Sequence, residues 1–163
     1  MIFSVSLQSH SGDKYYVYLT PLDKRWWGDL VLPEPNLEIY QIVLDRLEGG
    51  NVTDMHIIQE ISKFIANVFL TNDVIFYYVC DDLNEIPNAN RSISPQEYRS
   101  RLFSRMFDRY INSHGVEGLV DTPIIIKDAV GNNQYVHIIS RDIHIASVNY
   151  LVNFIEEGFT AGK

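Results

Sequence analysis

Seven consecutive residues, Val74-Ile75-Phe76-Tyr77-Tyr78-Val79-Cys80, carry no charge and little side-chain polarity. A β-branched and aromatic run of that length reads as a central strand covered on both faces. It constrains the rest of the chain, because such a strand needs neighbours beside it and further elements over it. A chain of 163 residues is long enough to supply them as one domain, residues 1–163, without disulfide staples.

The flanking sequence supplies candidates for those elements. Phe3, Val5 and Leu7 alternate with Ser4, Ser6 and Gln8, the period of a strand with one wet face. A turn signal over Ser9 to Asp13 leads into a second strand from Tyr15 to Leu19, giving a hairpin. The next segment is broken by Pro21, Gly28, Pro33 and Pro35. Leu37 to Leu47 shows both a helical spacing and a strand-like run, Ile39 to Leu44, and the β-branched content favours strand.

Val52 to Leu70 reads as a helix with Thr53 or Asp54 as cap and an apolar stripe of Ile57, Ile61, Phe64 or Ile65, and Val68. Ser94-Pro95-Gln96-Glu97 combines a capping serine, a proline at the first helical position and a capping-box glutamate. That helix should run to about Ser113, with Gly115 as its left-handed stop. Pro123 to Asp128 and Tyr135 to Ile139 flank Gly131-Asn132-Asn133 as a hairpin. A last helix, from about Ile143 to Glu157, takes Asp142 as cap, buries Ile145, Val148, Val152 and Ile155, and stops at Gly158. The order β-β-(β)-α-β-α-β-β-α implies an α+β domain, with a mixed, mainly antiparallel sheet and about three helices packed on it.

Composition narrows the setting. The formal net charge of −8 repels phosphate backbones, which argues against bulk nucleic-acid binding unless a basic patch is segregated. Cys80 is the single cysteine, so an intramolecular disulfide and a cysteine zinc site are excluded. Met1 to Val5 lacks the cationic start and apolar run of a signal peptide, and no stretch of about 18 apolar residues could span a bilayer. A soluble, cytoplasmic protein is expected. Ten tyrosines suit half-buried sheet surfaces and interfaces, where the ring packs and the hydroxyl meets water.

Charge is most organised from Val74 to His114. Asp81 and Asp82 follow the apolar strand, where sheets often expose metal ligands or acid–base groups, although aspartate also simply stops strands. In the helix that follows, Arg101, Arg105 and Arg109 stack at i, i+4 and i+8. Between Arg91 and Arg109 five arginines face only Glu97 and Asp108, a local balance of +3. Arginine forks suit carboxylate or phosphate, so a small anion could lie between this helix, with Arg101 and Arg105, and the Asn88 to Arg91 loop, while Asp81 or Asp82 binds metal or moves protons. The bland reading pairs Glu97 with Arg101 and Arg105 with Asp108 on a solvated face, or clasps the arginines to Asp81 and Asp82.

The stretch Tyr78-Val79-Cys80-Asp81-Asp82, followed by Arg99-Ser100-Arg101-Leu102-Phe103 and Arg105-Met106-Phe107, resembles a family of small uncharacterised bacterial α+β proteins. The resemblance covers roughly residues 54–110, and the loop from Leu83 to Ile93 is longer than its pattern. It implies a compact bacterial α+β domain and no particular chemistry.

Other motifs point away from catalysis. The five histidines are scattered without HExxH or HxH spacing, so no metal site is assigned; His137 and His144 flank Asp142 at strand and helix positions. Phosphate-binding glycine loops and the GxSxG elbow are missing, and no catalytic residue or cofactor is assigned. Cys80 reads as an inert buried thiol. Trp26-Trp27-Gly28 on a proline-flanked loop is the best interface signal, since aromatic anchors dominate binding hot spots; the rings could equally fold back over the sheet. The favoured expectation is a small interaction module acting through this aromatic loop and a sheet edge, with a protein partner or a second copy. The alternative is an enzyme or binder of a phosphorylated or carboxylated molecule using Asp81, Asp82, Arg101 and Arg105.

Overall fold

The computed structural model describes residues 4–22, 28, 30–49, 55–80, 94–127 and 130–161. Among these residues six strands form one sheet in the order β1-β2-β3-β4-β6-β5. They are β1 (Ser4–Gln8), β2 (Lys14–Pro21), β3 (Glu38–Glu48), β4 (Val74–Cys80), β5 (Leu119–Lys127) and β6 (Asn133–Arg141). Three helices join them: α1 (Met55–Thr71), α2 (Pro95–His114) and α3 (Ile145–Ala161). The expected α+β class and element order hold. Leu37 to Leu47 resolves as strand, where its β-branched residues pack on the pleat.

Of these strands only β3 and β4 pair in parallel, with Tyr40 opposite Phe76 and α1 as their crossover. Every other neighbouring pair is antiparallel. The apolar strand β4 is therefore central, with Ile75 and Phe76 both fully buried on opposite faces. On one face Phe76 and Tyr78 join Val17, Tyr40 and Ile42 beneath Ile57, Ile65 and Phe69 of α1 and Phe103 and Phe107 of α2. On the other, Ile75, Tyr77, Val136 and Ile138 lie beneath Val148, Leu151 and Ile155 of α3, with Leu32 added from the segment before β3.

Local signals explain the helix ends. The Ser94 hydroxyl accepts the Glu97 amide at 3.1 Å, and Gly115 closes α2 at φ 62°. Asn72 ends α1, its side-chain amide donating to the Val68 carbonyl at 3.0 Å. The last helix departs from expectation. Asp142 does not cap it: a 3-10 turn, Asp142–His144, comes first, with the Asp142 amide bonded to the Gly118 carbonyl. Consequently Ile145 is half exposed rather than buried, and the helix continues past Gly158 to Ala161. Thr53 and Asp54, expected to cap α1, lie outside the described residues.

Candidate functional site

Two polar networks are held inside this scaffold, and neither has a local sequence signature. The first lies between α2 and the β5–β6 pair. His137 of β6 is fully buried amid Tyr135, Val136, Ile138 and Ile139 and needs partners on both ring nitrogens. Asp121 of β5 faces its Nδ1 at 2.8 Å, and the hydroxyl of Ser100, on α2, lies 2.8 Å from its Nε2. Ser104, one turn along, donates to the same aspartate at 2.8 Å. Phe103 packs on the imidazole, with ring centroids 4.9 Å apart.

Serine, histidine and aspartate in this hydrogen-bond order resemble a nucleophilic triad. The surroundings argue against that chemistry. Ser100 sits within a helix, where nearby amides bond to carbonyls four residues back and are not free to form an oxyanion hole. Ser100 and His137 are buried, and neither lines any of the described cavities. The arrangement satisfies buried polar groups and fixes α2 to the sheet.

The second network joins four segments. His144, in the 3-10 turn, is buried and lies between two carboxylates: Glu34 at 2.8 Å from Nδ1 and Asp73 at 2.6 Å from Nε2. Ser147 of α3 donates to Glu34 at 2.6 Å. Arg141 of β6 approaches Asp73 at 3.5 Å and also donates to the Phe69 carbonyl at the end of α1. Burial pulls the imidazole pKa down, but hydrogen bonds and charges from Asp73 and Glu34 outweigh it and hold it above the ordinary 6.5. The Ser147 hydroxyl, and then His144, lower the Glu34 carboxyl.

Asp81, Asp82, Arg91, Trp26 and Trp27 lie outside the described residues. The Cys80 side chain does too, although its backbone pairs with Tyr135. Arg101 and Arg105 are exposed on α2. Arg101 pairs with Glu97 at 2.6 Å, as the solvated-face reading expects. Among the described residues no ion pair joins Arg105 to Asp108; burial and then the Asp121 charge raise the Asp108 pKa instead. Arg109 lies with Lys63 and His114 along a cleft of about 520 Å³ between α1 and α2, together with Glu60. His10 and His56 stack with centroids 4.5 Å apart, while His137 and His144 belong to separate networks. No group of three metal-ligating side chains suited to a metal occurs among the described residues.

The remaining feature is a surface. Tyr15, Val17 and Leu19 of β2 point into the helix-covered core, so Tyr16 and Tyr18 lie on the opposite face. There they remain half-buried, with ring centroids 5.4 Å apart. Ser4 and Ser6 of β1, and Val43 and Asp45 of β3, pair with them in register. The described apolar core of α3 reaches β4, β5, β6 and Ile39 at the start of β3 instead. Among the described residues no helix is long and apolar enough to cross a membrane. Comparisons with protein-family models, curated proteins and solved structures found no match to this chain.

Proposed function

We propose that this protein is an interaction module that associates through the β1 edge and the adjoining tyrosine face, with a second copy of the chain as its partner. The observation that supports this reading most is the half-exposed Tyr16–Tyr18 pair on the part of the sheet farthest from α3. Tyrosine beside serine offers rigid contact area with adaptable hydrogen bonding, the chemistry of protein-recognition surfaces.

The edge strand favours the second copy. Ser4-Val5-Ser6-Leu7-Gln8 carries no charge and no proline, whereas β5 at the other edge holds Asp121, Pro123 and Lys127. Charges and prolines are the usual devices that prevent edge pairing. A two-fold axis through Ser6 would place Val5 opposite Leu7 of the other copy and Ser4 opposite Gln8. Apolar and polar faces would then continue across the junction. The Trp26–Trp27 loop, expected from sequence to add aromatic anchors, follows β2 in the chain.

Sedimentation over rising protein concentration tests this reading. The expected result is a dimer, strengthened by salt because the net charge of −8 is screened. Ser6→Lys would set two like charges together at the two-fold axis and return the protein to monomer at unchanged melting temperature. Tyr18→Ala and Trp27→Ala would weaken association more than stability. A wild-type chain that stays monomeric at every concentration and salt would overturn the proposal.

A second reading, binding of a carboxylated or phosphorylated small molecule, draws on the α1–α2 cleft, where Lys63 and Arg109 outnumber Glu60. Stabilisation by phosphate that disappears in Arg109→Gln would favour it.

A further inference from the structure

We propose that Glu34, His144 and Asp73 form a proton-operated latch that fixes the 30–37 segment to the sheet and the start of α3. A neutral imidazole has one donor and one acceptor, whereas an imidazolium donates from both nitrogens. His144 meets carboxylate oxygens on both sides, at 2.8 Å and 2.6 Å. Only the protonated ring satisfies both. Its side chain is 6% exposed, so water cannot readily replace a lost partner.

The two arms differ. Asp73 also has Arg141, with Nε at 3.5 Å, and keeps a cation nearby when His144 is neutral. Glu34 has His144 as its cation among the described residues, and otherwise the Ser147 hydroxyl. Asp142, in the same turn as His144, directs its carboxylate towards Gly118. Proton loss therefore weakens the Glu34 arm most. That arm anchors a segment whose Leu32 packs on the second core and whose Leu30, Val31, Leu32, Pro35 and Leu37 wall a groove of about 580 Å³ beside β3. The latched state belongs to pH values below the raised imidazole pKa, and the groove wall loosens as the imidazole loses its proton.

The test pairs an NMR titration of the His144 ring with hydrogen-exchange protection of the Leu37 amide, which donates to the Glu34 carbonyl at 3.0 Å, referenced to Ile75 and Phe76. The ring should titrate above its ordinary 6.5. Protection of the segment should fall about tenfold for each unit by which the latched pKa exceeds the free one, while Ile75 and Phe76 hold. Glu34→Gln alters a half-exposed side chain and should fold; it should lower the midpoint and flatten the pH dependence of the segment. A midpoint at or below 6.5, protection that ignores pH, or an unchanged profile in Glu34→Gln would each overturn the latch.

Discussion

Asp121 and His137 lie on neighbouring strands, and the carboxylate meets the imidazole Nδ1 at 2.8 Å with the ring fully buried. Their strands are in register with Pro123 opposite His137, so the contact is diagonal rather than direct. The carboxylate also accepts from Ser104, while the far nitrogen meets Ser100. Each member thus depends on another, and removal of the shared acceptor strands two donors. Asp121→Ala should cost about 3 kcal/mol, from buried donors left without an acceptor. Ser100→Ala should cost only about 1 kcal/mol. Urea unfolding measures both. The folded protein should also stay unlabelled by a fluorophosphonate; rapid labelling of Ser100 would show that the network is catalytic after all.

Two tyrosines should resist ionisation. The hydrogen bond to Glu38, then burial and the Glu38 charge, push Tyr40 up to about 12, and burial alone takes Tyr77 to about 12. The charged form is disfavoured by the fold, so stability from both groups is intact below their ordinary value of 10.0 and falls as pH rises from there towards 12. Alkaline titration followed by tyrosinate absorbance should show these two rings ionising last, with unfolding. In Glu38→Gln the Tyr40 step should move to lower pH while that of Tyr77 stays.

Much of the fold is legible in the sequence because it is written in short-range pattern. The alternation of β1, the continuous β4 run and the Ser94 cap each depend on residues a few positions apart. The polar networks do not. Ser100 and His137 are 37 residues apart, and Glu34 and His144 are 110 apart, so no spacing announces them. One signal does exist: His137 interrupts the apolar stretch Tyr135 to Ile139, and a buried histidine requires partners, with Ser100 and Ser104 one turn apart on α2 as donors. The start of α3 departs from its sequence signal for a related reason. Asp142 looks like a helix cap in sequence, but the Gly118 carbonyl engages its backbone from a distant turn.

The ends of α2 offer a contrast between two kinds of local stabilisation. Ser94 contributes a side-chain acceptor for an otherwise unpaired amide, and Ser94→Ala should cost about 1 kcal/mol. Gly115 contributes backbone freedom at φ 62°, and a Cβ placed there would meet nothing within 4 Å. Gly115→Ala should therefore cost about 1 kcal/mol from conformation alone. Asn, which tolerates the left-handed region better, should recover part of it. Thermal unfolding of the three variants checks the ranking.

Gly49, just after β3, should be far less forgiving than Gly12 in the first hairpin turn. Both have positive φ, 106° and 92°, so both lose backbone energy on substitution, about 1–2 kcal/mol. Their surroundings differ. A Cβ on Gly12 would meet nothing within 4 Å, whereas one on Gly49 would lie 2.1 Å from the Asp13 Oδ1 and 2.3 Å from its Cγ. Asp13 is buried and is held by the turn itself: its amide donates to the Ser9 hydroxyl at 2.9 Å and its carbonyl accepts the Ser9 amide. These main-chain bonds fix the Asp13 Cβ, which itself would lie 2.9 Å from the added Cβ, so turning the carboxylate away does not remove the clash. Gly49→Ala should thus cost roughly 2 kcal/mol more than Gly12→Ala, at the scale of overpacking a tight site. Equal losses in urea unfolding would mean that Asp13 moves freely and that the hairpin is less tightly locked than its hydrogen bonds imply.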